Sequence, residues 1–199
     1  MADEVHTEAH GEVAEPQRLD PETRARREAA LKLVRKYGDP VLRSRALEIE
    51  RFDDSLVEEV ARMGRLMHDA YGIGLAATQV GVMHRLLVYR TELEGTIAAL
   101  ANPVLEWASK EKETAEEGCL SLPGVSVEVE RPIHVRVRAQ NEYGKPILVE
   151  ASGLEARVIQ HEMDHLDGVL ILDRTSRDQR KQAMRALREA LDPPRSAAA

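Results

Sequence analysis

Val158-Ile159-Gln160-His161-Glu162-Met163-Asp164-His165-Leu166-Asp167-Gly168 is the stretch from which the rest of the chain is best read. Residues four apart share one face of an α-helix, so His161 and His165 point the same way. Two imidazoles at that spacing can bind one metal ion. Glu162, beside the first, is placed to act as a general base on a water that such an ion activates. Two ordinary helical histidines are the alternative. The flanks argue against it: Val158, Ile159 and Leu166 make the helix a buried one, and buried imidazoles need polar partners. Leu154 carries the apolar spacing upstream, and Gly168 is placed to stop the helix.

A catalytic metal usually takes three protein ligands and leaves one position open. The extended pattern HExxHxxGxxH would put a third histidine at position 171, where this chain has Ile171. Glu189 lies on a basic, surface-like stretch. Cys119 remains, within Glu116-Glu117-Gly118-Cys119-Leu120-Ser121-Leu122-Pro123-Gly124. It is the single cysteine, so no intramolecular disulfide is available. Its possible roles are a small buried thiol, a nucleophile or a metal ligand. A thiolate is a good ligand for zinc or ferrous iron, and the missing histidine favours ligation.

Other segments supply the frame. Asp53 or Asp54 can N-cap a helix with Leu56, Val60, Met63 and Met67 on one face, ended by Gly72. Leu86–Tyr89 reads as a buried strand, and Leu31–Val34 as a short one. Val125, Val127 and Val129 alternate with polar residues, as do Ile133, Val135 and Val137. Period-two alternation predicts sheet with one face in the core. Asn141-Glu142-Tyr143-Gly144 is a turn signal that predicts a hairpin with Pro146–Val149. A last amphipathic helix is expected from about Ser176 to Leu191. Helix, strands, helix is an α+β order, with antiparallel or mixed sheets around a central helix that carries the two histidines, and a C-terminal helix.

The stretch Gly72-Ile73-Gly74-Leu75-Ala76-Ala77-Thr78-Gln79 fits a loose dinucleotide pattern, but a helix precedes it where that pattern needs a strand. Its small residues suit close backbone approach to an extended ligand. Gln79 can donate to a developing oxyanion; a capping or turn role is the alternative.

Composition bounds the rest. The chain has 199 residues, 43% of them hydrophobic but only 3% aromatic, so the core must be aliphatic. Its net charge of -7 argues against general attraction to nucleic acid or anionic membrane. No apolar run is long enough to span a bilayer, and the acidic N-terminus lacks a secretory or transit signal, so a cytoplasmic location is expected. Residues 1–28 read as a flexible acidic extension, 29–173 as the catalytic domain and 174–199 as a basic helix and tail.

Taken together, Gly72–Gln79, Glu117–Ser121 and Gln160–Gly168 resemble the three motifs of peptide deformylases, GxGLAAxQ, EGCLS and QHExDHLxG, in that order. The resemblance covers about Leu31 to Asp173. It implies a metal-dependent hydrolase that removes the formyl group from the N-terminal formyl-methionine of nascent chains and releases formate. It implies one divalent ion held by Cys119, His161 and His165. That ion is natively Fe2+, with Zn2+, Ni2+ or Co2+ as alternatives in purified protein. Glu162 matches the catalytic glutamate. Gln79 and the Leu120 N–H match the groups that polarise the formyl oxygen. Gly74 matches a residue whose backbone pairs with extended substrate. Ile73, Leu154 and Val158 match the lining of the methionine pocket. Arg157 stands where an apolar residue is often found. A ferrous thiolate site suits a reducing cytoplasm. The expected partners are formyl-methionyl nascent peptides, with no membrane and no disulfide-linked partner. The basic residues Arg174 to Arg188 are either a solvated face or a dock for ribosomal RNA, as in some members of that family.

Overall fold

The computed structural model describes residues 19–92 and 95–191. Its first element is α1 (Pro21–Leu33), which begins inside the stretch read as a flexible extension. Asp20 is the N-cap, accepting from the backbone N–H groups of Glu22 and Thr23, and Pro21 opens the first turn. Leu31–Leu33 is therefore the last turn of a helix and not a strand. A four-residue apolar run has no period of its own, and here the upstream cap decides it. The boundary expected at residue 28 falls inside α1, whose Thr23 and Ala30 are buried; residues 1–18 of the expected extension lie outside the described residues.

α2 (Asp54–Asp69) is N-capped by Asp53, which accepts from Ser55 N–H at 3.1 Å. It buries Leu56, Met63 and Met67, packed with Val34, Leu75 and Leu86. Gly72 does not supply its left-handed stop; Tyr71 does, at φ 62°. A Cβ at Gly72 would sit 3.1 Å from Leu120 Cδ1, so any other residue there would press on that side chain.

The strands are β1 (Gly74–Ala76), β2 (Leu86–Tyr89), β3 (Ala98–Ala108), β4 (Lys112–Cys119), β5 (Leu122–Pro132), β6 (His134–Gln140) and β7 (Pro146–Ser152). Five form an antiparallel sheet in the order β1-β2-β3-β6-β7, and β4-β5 form a separate antiparallel ribbon. The alternation predicted from the valines holds: Val125, Val127 and Val129 are buried while Ser126, Glu128 and Glu130 are exposed. The β6–β7 hairpin turns at Asn141, whose carboxamide oxygen accepts from Tyr143 and Lys145 N–H, with Gly144 at φ 77°.

α3 (Gly153–Leu166) carries both histidines and lies between sheet and ribbon, in contact with β1, β2, β7 and β5. Val158, Ile159 and Leu166 pack with Leu87, Leu100 and Val137. Burying each such side chain contributes about 1.5–3 kcal/mol. Gly168, at φ 72°, ends the turn after α3 in a place where a Cβ would meet Arg43 O at 2.7 Å. α4 (Arg177–Leu191) docks on β5, burying Ala183 and Leu187 beside Val127, Leu170 and Leu172. No helix among the described residues is long and apolar enough to cross a membrane.

Candidate metal centre and active site

Two bodies meet at the site. α3 brings His161 and His165 on one face, and the β4–β5 ribbon brings Cys119. The ribbon's register breaks between Gly118, which faces Ser126, and Cys119, which faces Leu122, so Pro123, Gly124 and Val125 bulge from β5, while Leu120 and Ser121 form the turn between the strands. Cys119 Sγ lies 3.2 Å from His165 Nε2, and one ligand atom from each of the three residues falls within a 4.8 Å cluster. The imidazoles meet edge to face with centroids 5.0 Å apart. Burial opposes a charged His161, but Cys119 and Glu117 beside it more than offset this and hold its pKa well above the ordinary value. Burial, and then the His161 charge, push His165 well below it. His165 Nδ1 is buried with no hydrogen-bond partner among the described residues. One thiol and two imidazoles, clustered and mostly dry, are a donor set that fits a zinc- or iron-type divalent cation.

Glu162 points to the same place. It is 4% exposed, and its Oε2 has no partner among the described residues. Burial pushes its carboxyl up to about 7, against the pull of His161 and Arg131. Gly74 passes directly over it: a Cβ at position 74 would lie 2.3 Å from Glu162 Oε1. Gln79 takes the capping part that the sequence left open. Its Oε1 accepts from Ala76 N–H at 2.9 Å, as a cap for the short helical turn Ala77–Val80. Its Nε2 donates to Ser121 Oγ at 3.2 Å and lies 3.7 Å from Cys119 Sγ. Three residues after α1 brace this corner. Arg35 N–H donates to Gln79 O at 2.7 Å, Tyr37 N–H to Ser121 O at 2.9 Å, and Lys36 Nζ to Leu120 O at 2.8 Å.

A groove opens beside these groups. Ile73, Gly74, Leu154 and Val158 all border it, together with Gln79, Cys119, Leu120, His161 and Glu162. His165 lies beneath, 1% exposed. The structure thus gathers the sequence-predicted site residues into one place.

A family model for polypeptide deformylase matches residues 31–181. The chain belongs to the polypeptide deformylase family. It is 46% identical over 161 residues to the peptide deformylase of Acidothermus cellulolyticus, covering 81% of this chain and 88% of that one. The crystal structure of the Thermotoga maritima peptide deformylase superposes with a TM-score of 0.69 at 45% identity, over 72% of this chain and 96% of that one. The Synechococcus elongatus peptide deformylase, solved with actinonin, gives 0.74 at 40% identity over 90% of each chain.

One part of this deformylase-family site escaped sequence reasoning. Behind His161 lies a buried charge network. Glu117 Oε2 accepts from His161 Nδ1 at 3.0 Å and from Arg131 at 2.9 Å. Its Oε1 accepts from Arg131 Nε at 2.6 Å and from Arg157 at 2.8 Å. Asp164 takes the third arm of Arg131 at 2.9 Å and pairs with Arg174. Burial works against the Glu117 charge, yet the His161 and Arg131 donors hold its carboxyl well below the usual carboxylate range. Glu117 sits two residues from Cys119, which was a usable hint. Arg131 and Arg157 carry no spacing rule that ties them to it. Arg157 is turned inward onto Glu117 although it borders the opening.

Proposed function

We propose that Cys119, His161 and His165 hold one divalent metal ion and that the chain uses it to remove the formyl group from the N-terminal formyl-methionine of nascent polypeptides. The observation that carries this is the convergence of those three donors with a buried, partnerless Glu162 oxygen at one groove. Bound there, the ion supplies Lewis acidity toward the formyl oxygen and makes water a better nucleophile. Glu162 takes the proton from the attacking water and passes it to the amine nitrogen as the formyl C–N bond breaks. Its raised carboxyl, near neutrality, suits both halves of that transfer. Gln79 Nε2 and the Leu120 N–H donate to the formyl oxygen as it gains charge. The brace from Arg35–Tyr37 keeps both donors in place before substrate arrives. The Gly74 backbone pairs with the extended peptide, and Ile73, Leu154 and Val158 receive the methionine side chain.

Iron in the ferrous state is our choice for the ion, and the reducing cytoplasm our choice of location. A single thiol beside two imidazoles suits both. Anaerobic purification should return about one iron per chain. Formate release from formyl-methionyl peptides, without cleavage of unblocked peptides, tests the reaction. Glu162→Gln should lower kcat by roughly 10²–10⁴-fold with metal content unchanged. Full activity in that variant would refute the assignment.

The exposed face of α4 carries Arg177, Lys181, Arg185 and Arg188, and we assign it to ribosome contact. Lys181→Glu with Arg185→Glu should weaken ribosome binding and flatten its salt dependence while leaving formate release intact. Binding that keeps the native affinity and salt slope would sink the assignment.

A further inference from the structure

We infer that Arg157 is a positioning residue that locks the two bodies of the metal centre together and orients His161 through Glu117. The inference rests on the reading of Cys119, His161 and His165 as ligands. Those ligands belong to different bodies: the histidines to α3, the cysteine to the β4–β5 ribbon. Arg157 is on α3, one turn before His161, and its guanidinium ends inside the ribbon. It donates to Val129 O of β5 at 2.9 Å, to Glu113 O of β4 at 2.8 Å and to Glu117 Oε1 at 2.8 Å. One side chain therefore ties helix to both ribbon strands and to the carboxylate beside Cys119.

The consequence for His161 follows from how Glu117 is held. Arg131 grips it side-on through both oxygens, which sets the plane of the carboxylate. Arg157 adds a further donor at Oε1 from the helix that carries His161, while Oε2 faces His161 Nδ1. A neutral His161 that keeps its one proton on Nδ1 for Glu117 has its Nε2 lone pair free, the form a metal needs. Arg157 and Glu117 side chains are 8% and 5% exposed, so water does not do this job in their place.

Electrostatics makes the test sharp. Removing a buried cation near a metal site should, by charge alone, tighten cation binding. Loss of positioning should weaken it. For Arg157→Met, which keeps the stem, we expect Zn2+ and Co2+ to bind about 10-fold more weakly in chelator competition on the full chain. The Co2+ electronic spectrum should broaden or shift. Arg157→Lys should recover part of the loss. Because Arg157 acts through Glu117, Arg157→Met added to Glu117→Gln should cost much less than it does alone. Far-UV dichroism and thermal melting are recorded for each variant. If Arg157→Met does not fold, Arg157→Gln and Arg157→Lys carry the same comparison. Affinity that is unchanged or higher, or fully additive effects, would overturn the inference. Native protein that takes up no ion, or a His161→Ala variant that binds as tightly as native, would instead overturn the ligand assignment on which it rests.

Discussion

Gly74 and Glu162 show how little room the reacting corner leaves. The Gly74 backbone conformation is open to any residue, so its glycine answers to space and not to φ. A methyl group there would overlap the Glu162 carboxylate, at 2.3 Å from Oε1. Gly74→Ala should displace the carboxylate and lower kcat/KM by about 10²-fold, the scale expected when a reacting group moves by an ångström. Bound metal should stay at the native level, because the three atoms nearest that position all belong to Glu162 and not to a proposed ligand. A variant with native kcat/KM would show that Glu162 has slack the structure does not contain.

Among the elements, the turn between α3 and α4 is a pH-sensitive joint. Asp173 accepts from Leu170 N–H at 2.9 Å, from Arg43, and pairs with Arg180 of α4 at 3.4 Å. Burial, the largest single effect, works against its charge, but Arg43, the Leu170 N–H and Arg180 together outweigh it and lower its carboxyl below the ordinary 3.8. A lowered acid contributes stability that is present above its unfolded value and lost as the pH falls through its folded one. Asp173→Asn should therefore cost about 1 kcal/mol at neutral pH, a modest figure because the pair is partly exposed. That deficit should shrink toward zero as urea midpoints are followed down through pH 4 and below. A gap that stays constant with pH would assign the effect to shape and not to charge. Element boundaries were only partly legible in advance. The valine alternation of β5 and β6 is a one-face-buried pattern, which sequence shows directly. β4 reads Lys112-Glu113-Thr114-Ala115-Glu116-Glu117-Gly118, with almost no apolar period, and exists because β5 offers it a ladder. α1 was missed because its burial is slight and its caps were the only clear signal.

For the whole molecule, the decisive contacts are those that hold separate bodies in register: α3 against the sheet, the ribbon against α3, and α4 against the ribbon. Leu187, 1% exposed, is the anchor of α4 in the cluster with Leu170 and Leu172. Leu187→Ala should destabilise the fold by about 2–5 kcal/mol, read as a lower Tm. The double charge reversal at Lys181 and Arg185, on the exposed face of the same helix, should leave Tm within about a degree or two. Equal losses in the two variants would mean that α4 docks through its charged face. By the same contrast, removing α4 altogether would strip cover from β5, whereas surface substitutions leave it docked.

What the sequence determined by itself was the chemistry that spacing can express. An i, i+4 pair of histidines, a glutamate beside the first, a lone cysteine between glycine and a turn, and alternating valines are all local patterns. Local geometry of helix and strand turns such patterns into faces. What only the tertiary structure decided was how those faces meet. It set Cys119 beside His165 and passed Gly74 over Glu162. It also turned the Arg157 guanidinium, at the border of the groove, inward onto Glu117, which no spacing rule foretold. Burial is the physical reason. Once α3 is enclosed between sheet and ribbon, its buried polar groups are favoured by partners on other elements. The ribbon partners of Arg157, His161, Asp164 and His165 lie 33 to 46 residues away in the chain, beyond the reach of any helical or strand period.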